Sequence, residues 1–127
     1  MTPKVPAVLG ELAQVLMRNA VPGVPDAERA NALGLSAALL GLAAETWDGA
    51  AHNLVVENRA IRDLLGLAGE DGDLHLTALG AENARLRARL IDAHVAAEIA
   101  EDTARQEAIW AELRASTERR LISVSLV

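Results

Sequence analysis

Six ionisable side chains are spaced for divalent-metal chemistry. Glu45, Asp48 and His52 fall at i, i+3 and i+7, and His94, Glu98 and Glu101 at i, i+4 and i+7, so that each trio occupies one face of a helix. Carboxylates and imidazoles converging from facing helices are how helical bundles hold metals; carboxylate oxygens suit Mg²⁺ or Mn²⁺, and imidazole shifts the preference toward Fe or Zn. The same residues also fit a solvated face, with Glu101 and Arg105 as an i, i+4 pair and the histidines satisfied by hydrogen bonds. The first reading makes the chain a divalent-metal-binding bundle acting on a small phosphorylated substrate. The second needs no cofactor and leaves a non-catalytic helical interaction or accessory module.

The Glu-x-x-Asp of Glu45 and Asp48 and the Glu-x-x-Glu of Glu98 and Glu101 resemble the all-α nucleotide pyrophosphohydrolases, and that resemblance implies carboxylate-held Mg²⁺. It covers these four positions only, and no lysine stands near either motif to assist with phosphates. No family is assigned on this basis. The spacing of acids from Asp71 to Glu82 follows a calcium loop at positions 1, 3 and 12, but Leu76 stands where that loop needs glycine. Nucleotide-binding glycine loops and serine-hydrolase elbows are missing from the sequence.

A second constellation is a repeat. Glu57, Asn58, Ile61, Arg62 and Leu65 recur as Glu82, Asn83, Leu86, Arg87 and Leu90 at a constant offset of 25 residues. In an antiparallel hairpin turning near residue 70, residues equidistant from the turn come level. Asn58 then meets Asn83, Glu57 stands level with Arg85, and Arg59 with Glu82. The expected role of Glu57, Asn58, Arg59, Glu82, Asn83 and Arg85 is a polar cluster that fixes helix register at some cost in stability. The alternative is an anion site formed by the two asparagines with Arg59, Arg62, Arg85, Arg87 and Arg89; Glu57, Asp63 and Glu82 are near enough to neutralise most of those cations. The same levels bring Glu45 opposite Glu98 and Asp48 opposite His94.

The elements that position these residues are helices. Hydrophobic residues make up 51% of the 127-residue chain, yet Phe, Tyr and Cys are absent and Trp occurs twice, so the core is built of Ala, Leu, Val and Ile. Without cysteine there is no disulfide framework, thiolate metal site or sulfur nucleophile. A net charge of −6 argues against affinity for nucleic acid. All the cations except Lys4 are arginine, which with the abundant alanine reads as the codon bias of a GC-rich bacterial genome. The first residues lack the pattern of a signal peptide and no apolar run is long enough to span a membrane, so a cytoplasmic protein without membrane contact is expected.

Val5 to Asn19 carries apolar residues at helical spacing and ends at "VPGVPD", where Asp26 is placed to cap the next helix. From there to about Ala68, Leu33, Leu40, Trp47, Leu54 and Ile61 recur every seventh residue, which predicts one long helix, continuous or kinked at Gly49. Leu35, Leu39 and Leu42 widen its apolar arc, so its first half is expected to touch more than one neighbour, with Gly34 and Gly41 admitting one of them closely. "GLAGEDGD" makes the turn. A third helix is predicted from between Asp73 and Thr77 to about Thr117, with an alanine-rich stripe and a second stripe of Ile91, Val95, Ile99, Ile109 and Leu113. Trp47 and Trp110 read as core or interface anchors, and the apolar tail "LISVSLV" as a segment packing on a neighbouring chain or fraying. The expected architecture is all-α and a single domain over residues 1–127: a short N-terminal helix packed on a long antiparallel helical hairpin, bundle-like and completed as a homodimer, with a further protein partner possible on the alanine stripes.

Overall fold

The computed structural model describes residues 4–122. They form helices and no strand: α1 (Val5–Val15), prolonged by a π-helical turn (Leu16–Ala20) and a 3₁₀ turn (Val21–Gly23), then α2 (Ala27–Trp47), α3 (Ala50–Leu65), α4 (Leu76–Ile99) and α5 (Thr103–Arg119). The chain divides into two compact units at Gly49–Ala50, where the sequence suggests one domain. None of the described helices is long and apolar enough to cross a membrane. Residues 123–127 of the tail "LISVSLV" lie outside the described residues.

The first unit pairs α1 with α2. Pro6 occupies the opening turn of α1, where its missing N–H costs nothing, and the prolines at 22 and 25 end the following turns. Asp26 caps α2 by accepting from the backbone N–H groups of Glu28 at 2.8 Å and Arg29 at 3.4 Å. Ala37 is the buried residue of this pair. Leu33 and Leu40 are half-buried, whereas Leu35 and Leu39 are exposed. A Cβ built at Gly34 or Gly41 meets no atom within 4 Å, so no described residue supplies the close neighbour expected there.

Both long helices of the predicted hairpin are broken. α2 ends at Trp47 and α3 begins at Ala50, with Asp48–Gly49 a turn between them in which Asp48 keeps right-handed helical dihedrals (φ −70°, ψ −32°). Glycine carries the greatest backbone entropy cost, and Asp48 has a side chain that competes for backbone partners. The heptad row is therefore shared out: Leu33 and Leu40 serve the first unit, Leu54 and Ile61 the second, and Trp47 is half-exposed at the junction. The third helix breaks after Ile99. Asp102 N–H returns to the Ala97 carbonyl at 2.9 Å and Glu101 N–H to Glu98 at 3.1 Å, with Glu101 at φ 53°, which is a Schellman close with glutamate in the glycine position. Asp102 then caps α5 through the Arg105 N–H at 3.0 Å.

The second unit is consequently three helices. The same Schellman close ends α3, where Gly66 (φ 65°) donates to Asp63 and Leu67 to Arg62. α4 returns along α3, and α5 folds back over both. Ile61, Leu86, Leu90 and Ile109 form the core, with Leu64, Leu65, Leu67 and Leu113 packed on it; each fully buried side chain contributes about 1.5–3 kcal/mol. The break after Ile99 divides the second predicted stripe. Ile109 enters the core while Ile91, Val95 and Ile99 stay exposed.

Candidate functional site

The repeat is the centre of the second unit. Asn83 Nδ2 donates to Asn58 Oδ1 at 3.0 Å, and both asparagines are buried. On either side of that contact the two copies of the repeat grip each other: Glu57 of α3 accepts from Arg87 of α4 at 2.7 Å, and Glu82 of α4 accepts from Arg62 of α3 at 2.9 Å. Each helix offers a glutamate one residue before its asparagine and an arginine one helical turn after it. Because i and i+4 share a face, the arginine comes down beside the asparagine and reaches the opposite glutamate. Ile61, Leu86 and Leu90, apolar members of the repeat, belong to the core, and Leu65, the fourth, packs against it.

Arg85 and Arg59 lie elsewhere in the fold than their level along the hairpin predicts. Arg85 pairs with Glu82 on its own helix at 2.7 and 2.8 Å, not with Glu57. Arg59 is exposed and lines a cavity, and makes no ion pair with Glu82. Counting distance from the turn gives height along the helix and omits the angle around it. Arg59 stands about 100° round the helix from Asn58 and Arg85 about 200° from Asn83, which carries both off the shared face.

Three residues from elsewhere complete the network. Asp71, in the connection after α3, is buried by its side chain and accepts from Arg62 at 2.6 Å and from Asn58 at 3.2 and 3.3 Å. Ser116 of α5 donates to Glu57 at 2.8 Å, and Arg120, just past α5, adds contacts at 2.9 and 3.0 Å. Nearby, Asn53 donates to the Arg119 carbonyl at 3.1 Å, satisfying one of the open acceptors at the end of α5. Arg62 and Arg87 are visible in the repeat itself. Asp71, Ser116 and Arg120 leave no trace in the sequence, because the fold-back of α5 and the path of the connection bring them in.

Electrostatically the network is closed on itself. Burial pushes the Glu57 carboxyl toward neutrality, but donors from Asn83, Ser116, Arg120 and Arg87 together outweigh it and hold the pKa at about 2. Glu82 is lowered to about 2, chiefly by Arg85, against burial and with help from Arg62. The Asp71 carboxylate raises Arg62 above the ordinary guanidinium value. Beside this network a cavity of about 230 Å³ is lined by Val55, Arg59, Gly69, Glu70 and Leu74 together with Arg62 and Asp71. Of the arginines grouped as an anion site, Arg62, Arg85 and Arg87 are matched with Asp71, Glu82 and Glu57, while Arg59 and Arg89 are exposed.

The six residues spaced for metal chemistry are divided between the two units. Glu45 and Asp48 belong to the first unit and His52, His94, Glu98 and Glu101 to the second. The expected facing of Glu45 with Glu98 and of Asp48 with His94 spans the two units. Among the described residues no group of three or more His, Asp or Glu side chains is placed to hold a metal ion. His94 instead packs edge-on against Trp110, with ring centroids 5.5 Å apart, and its Nε2 lies 3.8 Å from Glu98. His52, Glu98 and Glu101 are exposed. No family model, curated protein or solved structure matches the chain.

Proposed function

We propose that the chain is a non-catalytic helical interaction module that works as a homo-oligomer in the cytoplasm. The observation that carries this reading is α2: from Ala30 to Ala44 it holds no charged residue, yet Ala37 is its buried residue. A helix apolar all round is a helix meant to be surrounded, and α1 covers one side of it. A second apolar row supports the same reading, since Ile91, Val95 and Ile99 share a face of α4 and stay exposed; it is the natural seat for a protein partner. The polar network argues in the same direction, because its buried carboxylates and guanidiniums are committed to one another and offer no unpaired group for acid, base or nucleophile chemistry. The cysteine-free sequence suits a reducing compartment.

Light scattering across a concentration series tests the proposal. At about 100 µM, well above a micromolar Kd, the expected mass is a multiple of the 13.4 kDa chain. A single-chain mass at that concentration sinks the homo-oligomer.

A further inference from the structure

The geometry points to a binding site for a small zwitterion, an aliphatic amino acid, in the cavity between α3 and the connection that follows it. Arg59 takes the carboxylate and Glu70 the ammonium. The site lies wholly within the second unit and does not rest on the homo-oligomeric reading.

The walls follow from short-range structure. Val55, Arg59 and Arg62 stand at i, i+4 and i+7, so one face of α3 lines one side of the cavity. Gly69, Glu70, Asp71 and Leu74 line the other. This second wall is fastened in three places. Gly69 takes φ 110°, a conformation that glycine adopts readily and other residues do not. Asp71 accepts from Arg62 at 2.6 Å and from Asn58 at 3.2 Å. Asp73 accepts from the His75 N–H at 2.9 Å across Leu74. A wall held in place beforehand need not be ordered when a ligand arrives, which lowers the entropic cost of binding.

Charge selects the ligand. Four charged side chains line the cavity, and two of them are committed to each other: Arg62 and Asp71 keep 8% and 4% of their side chains exposed and are paired. Arg59 and Glu70 are exposed, and among the described residues neither side chain has an ion-pair partner. The open charge is therefore one cation and one anion. A lone anion drawn to Arg59 meets the Glu70 carboxylate, and a lone cation drawn to Glu70 meets the Arg59 guanidinium. A ligand carrying both signs satisfies both groups at once. The planar guanidinium suits a carboxylate in particular, since it can donate two parallel N–H bonds to it.

Size and lining define the body of the ligand. A volume of about 230 Å³ equals that of about eight waters at about 30 Å³ each in the liquid. That is the scale of an aliphatic amino acid, and it is small against the roughly 300–1,000 Å³ of pockets for larger ligands. Val55 and Leu74, the latter 64% exposed, offer the apolar contact that a branched aliphatic chain needs.

The test removes one charge at a time from ligand and protein. L-Leucine, N-acetyl-L-leucine, which lacks the ammonium, and L-leucinamide, which lacks the carboxylate, are titrated at about pH 6, where the amines are protonated. Amide chemical shifts follow binding to the full chain and to its Arg59→Ala and Glu70→Gln variants. Both positions are exposed and outside the buried network, and circular dichroism checks that each variant is folded. The expected result is a saturable shift of the Val55, Arg59, Gly69 and Glu70 amides by L-leucine, with half-saturation at about 1 mM and about tenfold weaker binding of either derivative. Arg59→Ala should bind leucine no better than leucinamide, and Glu70→Gln no better than N-acetyl-leucine. No saturable shift by about 50 mM leucine would overturn the site. So would N-acetyl-leucine binding as tightly as leucine, the behaviour of an anion site, or leucinamide doing so, that of a cation site. Leucine affinity unchanged in both variants would place the ligand elsewhere and overturn the assignment.

Discussion

Replacing Glu57 by glutamine tests whether the buried network stabilises the second unit through charge. Glu57 is held at about pKa 2 in the fold against an ordinary 4.5, and each unit of difference corresponds to 1.36 kcal/mol, so the carboxylate contributes at most about 3 kcal/mol. Two of its four partners, Arg87 and Arg120, keep 39% and 52% of their side chains in water, and that screening lowers the expectation to about 2 kcal/mol. The sign follows from proton counting. Between pH 4.5 and 2 the unfolded chain binds the proton that the folded chain refuses, so stability falls with falling pH across that window and the contribution is complete above it. Urea denaturation at pH 7, followed through Trp110 fluorescence in a Trp47→Phe background so that only the second unit reports, should show Glu57→Gln less stable by about 2 kcal/mol. Repeated toward pH 2, the gap between the two proteins should close. A loss under about 0.5 kcal/mol at pH 7, within the range of ordinary surface substitutions, or a gap indifferent to pH, would refute the assignment of charge to this site.

Two further substitutions follow from the same geometry. Arg62→Ala leaves the Asp71 and Glu82 carboxylates without the guanidinium that lies 2.6 and 2.9 Å from them; breaking a buried pair in this way costs about 3–5 kcal/mol, so the same denaturation assay should find Arg62→Ala the more damaging of the two network variants. Glu101→Gly should do the opposite. Glutamate at φ 53° carries the left-handed penalty of about 1–2 kcal/mol that glycine avoids, and after the larger unfolded-state entropy of glycine is set against it, the thermal midpoint of the second unit should rise slightly; a fall would show that the Glu101 side chain has a stabilising contact that outweighs the strain.

Much of the local structure follows from residues close together in the chain. The helical spacing from Val5, the proline stop before Asp26, the aspartate cap of α2, and the glycines that close α3 each depend on interactions within one or two turns, and these are legible in order. The facing of Asn58 and Asn83 is legible as well, because a single tight turn makes height along two adjoining helices predictable. Azimuth is not carried by that arithmetic, which is why Arg85, expected level with Glu57, pairs with Glu82 on its own helix, and Arg87 is the arginine of α4 that reaches Glu57.

The sequence by itself determined that the chain is helical, that its core is aliphatic, and that Glu57, Asn58, Glu82 and Asn83 lie together, since periodicity and a short turn encode all three. Only the tertiary structure decided where the long helices end. Across Asp48–Gly49 the heptad row keeps its phase in the sequence while the α-helix gives way to a turn. At Glu101 a non-glycine residue takes a left-handed conformation that no local preference favours. With that bend α5 turns back to bring Ser116 and Arg120 onto Glu57, contacts between residues about 60 positions apart that no local spacing encodes.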